Sequence, residues 1–265
     1  MLFNFHTHST FSDGKNTPEE IVLSALEKGF VSLGFSDHGH TAYDVRYCMT
    51  DEQGYLAEIR RLKEKYKGKL QIYLGIEEDS RALIDRNKYD YIVGSCHYAC
   101  MKGKCVPFDS KYEMFTSALE LFDDELEFAK EYYRHFTEYI RTRQPDIIGH
   151  FDLVTKFDEK EQDRYLSNPR YWEIAEAYTL EALKADCIFE VNTGLISRGY
   201  RTTPCPNERL LRFICKHGGK VTISSDSHAI ETLNFHFEET KKLLKDVGFS
   251  CVYALLDGEW KKVSI

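Results

Sequence analysis

The chain has 265 residues, of which 42% are hydrophobic and 29% charged, with a formal net charge of −8 at pH 7. That length fits one α/β barrel domain over residues 1–265 and buries enough surface to need no disulfide or structural metal for size alone. The acidic balance argues against a general affinity for nucleic acid, whose phosphates select basic surfaces, and suits a protein that gathers divalent cations.

Residues 1–6 lack the basic and apolar stretches of a secretion signal, and no apolar run approaches membrane-spanning length. A cytoplasmic protein with no membrane partner is expected. The first strand falls at residues 2–5. A helix follows, signalled by Thr17 as cap, Pro18 at its first position, Glu20 completing a capping box, and Gly29 as its end. Further β-branched and aromatic runs at 32–35, 70–76, 89–94, 146–149, 187–191 and 220–224 read as strands. Helical patterns cover 52–67, 112–143, 169–185 and 207–217. A closing hairpin is expected from 250–256 through the Asp257-Gly258 turn into 260–265. Seven strands alternating with helices, without repeat or linker, predict a distorted (β/α)7 barrel of TIM-barrel type.

Eight cysteines lie at 48, 96, 100, 105, 187, 205, 215 and 251. Without a secretion signal they read as free thiols. Cys96, Cys100 and Cys105 do not have the usual spacing of a zinc cluster and read as small buried residues.

The C-terminal ends of the expected strands carry His6 and His8, Asp37-His38, Glu77, His97, His150, Asn192, and Asp226 with His228. In a parallel barrel all those ends open on one face, where such folds place their chemistry. Six of the ten histidines therefore converge. His6 and His8, two apart on an extended chain, point the same way and can grip one ion. Imidazoles mixed with carboxylates suit Zn, Mn or Fe better than Mg or Ca. Each residue alone has a plainer reading: a hydrogen-bonded core histidine, a turn at Asp13, a solvated acidic run at Glu77-Glu78-Asp79, a helix cap at Asp226. Jointly those readings require many independent accidents at equivalent positions. His135, His217 and His236 carry no motif and read as structural, whereas His40 can line the pocket.

These residues are recognisable as a set. His6-Thr7-His8-Ser9-Thr10-Phe11-Ser12-Asp13-Gly14 resembles the opening motif of the PHP (polymerase and histidinol phosphatase) family. Phe35-Ser36-Asp37-His38, Gly94-Ser95-Cys96-His97 and Ser225-Asp226-Ser227-His228 resemble its later motifs. The segments from Pro145 to Leu153 and from Glu190 to Leu195 are similar to the histidinol-phosphatase branch. The resemblance implies three divalent ions (Zn, Mn or Fe): one held by His6, His8, Glu77 and Asp226; a second by Glu77 as bridge with His97 and His150; a third by Asp13, His38 and His228. It implies a phosphomonoesterase in which a metal-bridging hydroxide attacks phosphorus, with Glu77, Asp226 and Arg198 as the catalytic set. Its partner would be a small phosphate ester, histidinol phosphate first, and neither nucleic acid nor membrane.

The arginine expected for the substrate phosphate is Arg198 or Arg201, with Arg198 preferred. Lys156 stands where an arginine is common. Asp152 is expected to orient His150, and Glu78 or Asp44 to meet the cationic half of the substrate. Two further readings share parts of the pattern. One is an amidohydrolase, which often bridges its metals with a carboxylated lysine. The other is a non-catalytic metal-binding module. A PHP phosphoesterase for another small ester or a nucleotide is the nearest alternative.

Overall fold

A computed structural model describes residues 1–265. In it β1 (Leu2–Asn4), β2 (Phe30–Phe35), β3 (Gln71–Asp79) and β4 (Tyr91–Ser95) pair in sequence. A side hairpin, β5 (Tyr98–Met101) and β6 (Lys104–Pro107), interrupts before β7 (Ile147–Ile148), β8 (Ile188–Asn192) and β9 (Lys220–Ser224) complete the sheet. Every pairing in this seven-stranded sheet is parallel. The first and last strands meet just past their ends. His8 N donates to Ser227 O at 2.8 Å, and Ser227 N donates to His6 O at 3.2 Å. This is the expected distorted (β/α)7 barrel, nearly closed, and its seam is tied beside the His6–His8 pair.

The helices are α1 (Pro18–Glu27), α2 (Glu52–Lys65), α3 (Tyr112–Leu119), α4 (Glu125–Arg143), α5 (Pro169–Ala182), the single-turn α6 (Gly194–Ser197), α7 (Glu208–Lys216) and α8 (Phe237–Val247). The capping box of α1 forms, with Thr17 N donating to Glu20 at 2.8 Å. The single helix expected over 112–143 is instead two. Asp124 caps α4 by accepting from Glu127 N at 2.8 Å, and Glu127 accepts from Asp123 N at 2.8 Å. That reciprocal pair starts a new helix where the apolar period alone suggested continuity.

The β5–β6 hairpin is a second departure. Lys102 (φ 50°) and Gly103 (φ 81°) make its two-residue turn with the left-handed geometry that strand twist favours. Its register sets Cys100 opposite Cys105, Cα atoms 4.1 Å apart, and joins them as a disulfide. The expectation of eight free thiols is corrected accordingly: six remain free, Cys96 among them.

Inside the barrel, Tyr91 reaches from β4 to the ends of β1 and β2. Its hydroxyl donates to Phe5 O at 2.8 Å and to Phe35 O at 3.0 Å. Gly34 and Gly75 on β2 and β3 leave the room, since a Cβ on either would overlap the Tyr91 ring. The C-terminal hairpin, β10 (Cys251–Leu256) and β11 (Glu259–Ser264), brings Trp260 edge-on against Phe5 at 5.3 Å and against Tyr91 at 6.2 Å. Aromatic bulk fills the interior, which leaves the opposite mouth as the open one.

Candidate metal centre

At that mouth the expected residues meet. Glu77 ends up at the centre with its two oxygens facing different partners. Its Oε2 lies 3.3 Å from His6 Nε2 and 3.6 Å from His8 Nε2, while Asp226 Oδ1 lies 3.5 Å and 3.2 Å from the same two nitrogens. Ligands at about 2.1 Å around a tetrahedral ion sit roughly 3.4 Å apart, so these four nitrogen–oxygen distances have the spacing found in a coordination shell. The other oxygen, Oε1, lies 3.3 Å from His97 Nε2 and 3.1 Å from His150 Nε2. Asp13 forms a third group, its Oδ2 3.3 Å from His228 Nε2 and its Oδ1 3.8 Å from His38 Nε2. His38 also turns Nδ1 towards Glu77 Oε2 at 2.8 Å.

These contacts cannot all be hydrogen bonds. His6 Nδ1 lies 2.6 Å from Glu190 Oε1, and His97 Nδ1 lies 3.2 Å from Asp79 Oδ2. Ionised carboxylates only accept, so each Nδ1 carries a proton, and in the neutral form that binds a metal each Nε2 would present a lone pair. Those lone pairs point at the carboxylate oxygens of Glu77 and Asp226. His6 Nε2, both nitrogens of His8 and His150 Nδ1 are buried without hydrogen-bond partners. Four buried carboxylates, Glu77, Asp79, Glu190 and Asp226, crowd this space. Buried acceptors facing acceptors require positive charge between them.

The titration pattern expresses the same demand. Burial alone would lower the pKa of His6, but Glu190, Asp226 and Glu77 draw it well above the usual imidazole range. Burial likewise opposes a charge on His97, which Glu77 and Asp79 overcome. His8, buried and beside His228 and His38, is pushed down to about 3 and stays neutral. Burial raises Asp226, yet Arg198 and His6 hold it well below the usual carboxylate range. Divalent cations satisfy this donor set, with imidazole and carboxylate together suiting Zn, Mn or Fe.

Local structure fixes the ligands. Asp37, placed at a strand end by its motif, is not among the grouped donors. It accepts from Ser9 N at 2.8 Å and from Ser12 Oγ at 2.7 Å, folding the 9–14 loop so that Asp13 faces the cluster. Gly14 packs so closely on the His8 backbone that a Cβ there would collide with it. Asp226 itself adopts φ 47°, an uncommon backbone for a non-glycine residue and one found at functional sites.

The family model described as "PHP domain" matches residues 4–194. The chain belongs to the PHP family. Among curated relatives, a Schizosaccharomyces pombe protein described as "Probable histidinol-phosphatase" is 26% identical over 97% of this chain and 90% of its own. A Deinococcus radiodurans protein with the same description is 27% identical over 93% of this chain and 94% of its own. In structure, the chain resembles the histidinol phosphate phosphatase of Lactococcus lactis, crystallised with Zn, L-histidinol and phosphate. The TM-score is 0.75 at 19% identity, covering 98% of each chain, which speaks to the fold.

Above this PHP cluster opens a cavity of about 590 Å³. Arg198 lines it, donating from Nη2 to Asp226 Oδ2 at 2.8 Å and from Nη1 to Asp226 O at 3.1 Å. Lys156 lines it too, over the Tyr200 ring at 4.4 Å. Arg201, the other arginine expected at the phosphate, lies outside the cavity. It is wholly buried, with Nη1 donating to Thr155 Oγ1 at 2.9 Å and its charge facing Asp152 at 3.4 Å. Asp152 therefore serves Arg201, Cys205 and the Asn207 backbone, and makes no hydrogen bond or ion pair with His150. That corrects its expected role. Glu78 is corrected as well: it faces away from the cavity, bound by Tyr139 at 2.7 Å and by Arg143 at 2.7 and 2.9 Å. Asp44 reaches the rim. His40 is exposed and borders a separate small cavity.

Sequence reasoning missed Glu190 and Asp79. Besides His6, Glu190 accepts from His150 N at 2.7 Å and Asn192 Nδ2 at 2.9 Å, and it also receives Ser224 Oγ. Such carboxylates fix which ring nitrogen meets the metal. Their signal was present in outline: each stands two residues from a strand-end residue, on the same face of its strand.

Proposed function

We propose that this chain is a metal-dependent phosphomonoesterase that hydrolyses L-histidinol phosphate to L-histidinol and phosphate in histidine biosynthesis. One observation carries the reading: Glu77 joins two sets of imidazoles beneath a cavity whose fixed cations are Arg198 and Lys156. The names of the curated relatives point to the same substrate. Ligands drawn from β1 to β9 favour one catalytic unit over 1–265.

Three divalent ions (Zn, Mn or Fe) would fit the overlapping donor groups, where they would supply Lewis acidity and water acidified to a pKa of about 7. His6, His8 and Asp226 would hold one position, His97 and His150 a second, and Asp13, His38 and His228 a third. Glu77 spans the first two, the place an amidohydrolase often gives to a modified lysine. Arg198, steadied by Asp226, offers a planar fork to two phosphate oxygens, and Lys156 adds a second positive charge. A biosynthetic role of this kind belongs in the cytoplasm, where the Cys100–Cys105 pair would be reduced.

The deciding experiment is phosphate release from histidinol phosphate beside a panel of other phosphomonoesters, with Zn- or Mn-loaded protein. A clear preference in kcat/KM for histidinol phosphate is expected. Equal rates across the panel would overturn the substrate and retain the phosphatase. No release by protein that retains its metal would overturn both, and would favour a metal-binding module or amidohydrolase.

A further inference from the structure

Five carboxylates line the cavity: Asp13, Asp44, Glu77, Asp109 and Asp226. Four have an occupation. Asp13, Glu77 and Asp226 belong to the metal-ligand groups. Asp44 is clasped by Arg46, from Nε at 2.8 Å and from Nη2 at 2.6 Å. The Asp109 carboxylate has no hydrogen bond and no ion pair. Only its backbone carbonyl is engaged, by the Lys156 ammonium.

Asp109 is nevertheless held in place. Phe108, its neighbour, is fully buried, stands edge-on to Phe128 and Tyr132 at 5.5 Å, and donates its backbone N–H to His97 O at 3.0 Å. The Asp109 backbone is thereby anchored between the strand end bearing His97 and the Lys156 side chain, and its carboxylate lines the cavity. His97, Lys156 and Arg198, from three separate segments of the chain, border the same cavity as Asp109.

An unpaired carboxylate beside a site for a phosphate dianion repels that dianion. The repulsion is offset when the ligand brings its own cation. We infer that Asp109 receives a protonated amine on the organic half of the substrate, so that the cavity selects zwitterionic aminoalkyl phosphates over purely anionic esters. Met114 and Leu153, also on the wall, offer apolar contact for the carbon chain. Asp109 is thus a specificity residue, and its role rests on the phosphomonoesterase reading above.

The test compares histidinol phosphate with its analogue lacking the amine, using the metal-loaded full chain and Asp109→Asn. For the amino ester, Asp109→Asn should lower kcat/KM by about 10- to 100-fold, mainly through KM, the usual scale for losing a charge-assisted contact. For the analogue, kcat/KM should hold steady or rise, because the repulsion is gone. Asp109→Glu should restore part of the preference. An equal fall for both esters, or no fall for either, would overturn the inference. Wild-type protein that hydrolyses both esters equally would overturn it while leaving the phosphatase intact. Wild-type protein that hydrolyses neither would overturn the phosphatase reading and this inference together.

Discussion

Glu190 never reaches the cavity, yet it organises two of the candidate ligand histidines at once. Its oxygens take the His6 ring N–H and the His150 backbone N–H. Replacing it with Gln keeps the shape and removes the charge that holds the His6 tautomer. Glu190→Gln should weaken metal affinity or activity by about 10- to 100-fold, read by competition with a chelating dye. Unchanged affinity and turnover would mean that packing alone orients His6. Lys156 gives a second expectation at this scale. Burial holds its pKa down to about 8, so it is charged below that pH and neutral above it. KM for phosphate esters should therefore climb as pH rises past about 8, and Lys156→Arg should abolish the climb because guanidinium stays charged. A KM in the wild type that stays flat across that range would remove Lys156 from phosphate binding. These two residues also mark a limit of the sequence. Glu190 looked like any strand carboxylate, and Arg201 looked like a phosphate ligand until burial beside Asp152 assigned it elsewhere.

Among the elements, those with local signals formed as expected. Thr17, Pro18 and Glu20 start α1, and Asp257 and Gly258, both at positive φ, turn β10 into β11. The β5–β6 hairpin carried a comparable Lys-Gly turn, but its strands are short and lie between stronger patterns. The split between α3 and α4 was written in Asp124 and Glu127, and the uninterrupted apolar period masked it. Gly34 on β2 shows how an element depends on a distant side chain. A methyl group there meets the Tyr91 ring, which is itself pinned by two backbone carbonyls. Overpacking of this kind costs about 1–3 kcal/mol, so Gly34→Ala should lower the free energy of unfolding by that margin and move the urea midpoint down at unchanged m-value. An unchanged midpoint would mean that the barrel yields around Tyr91 at no cost.

At the scale of the whole molecule, the metal cluster and the barrel seam coincide. His6 and His8 follow the first strand, Asp226 and His228 follow the last, and the backbone bonds between His8 and Ser227 lie between them. Ions bound here tie the chain's two ends together. At free concentrations about 100-fold above Kd, each ion should add about 2.7 kcal/mol to stability. Chelation should therefore lower Tm by several degrees, and restored Mn or Zn should recover it. Equal melting with and without chelator would show that the seam stands without metal.

The sequence by itself determined the barrel and the ring of ligand types around its mouth. Strand period and strand-end position are local properties, and parallel topology carries every strand end to the same face. Only the tertiary structure decided which charged groups face the cavity. Arg201 and Asp152 neutralise each other, as do Glu78 and Arg143, while Arg198, Lys156 and Asp109 remain in the cavity. Pairing of buried charges depends on which distant side chains pack together, and no residue's neighbours along the chain carry that information.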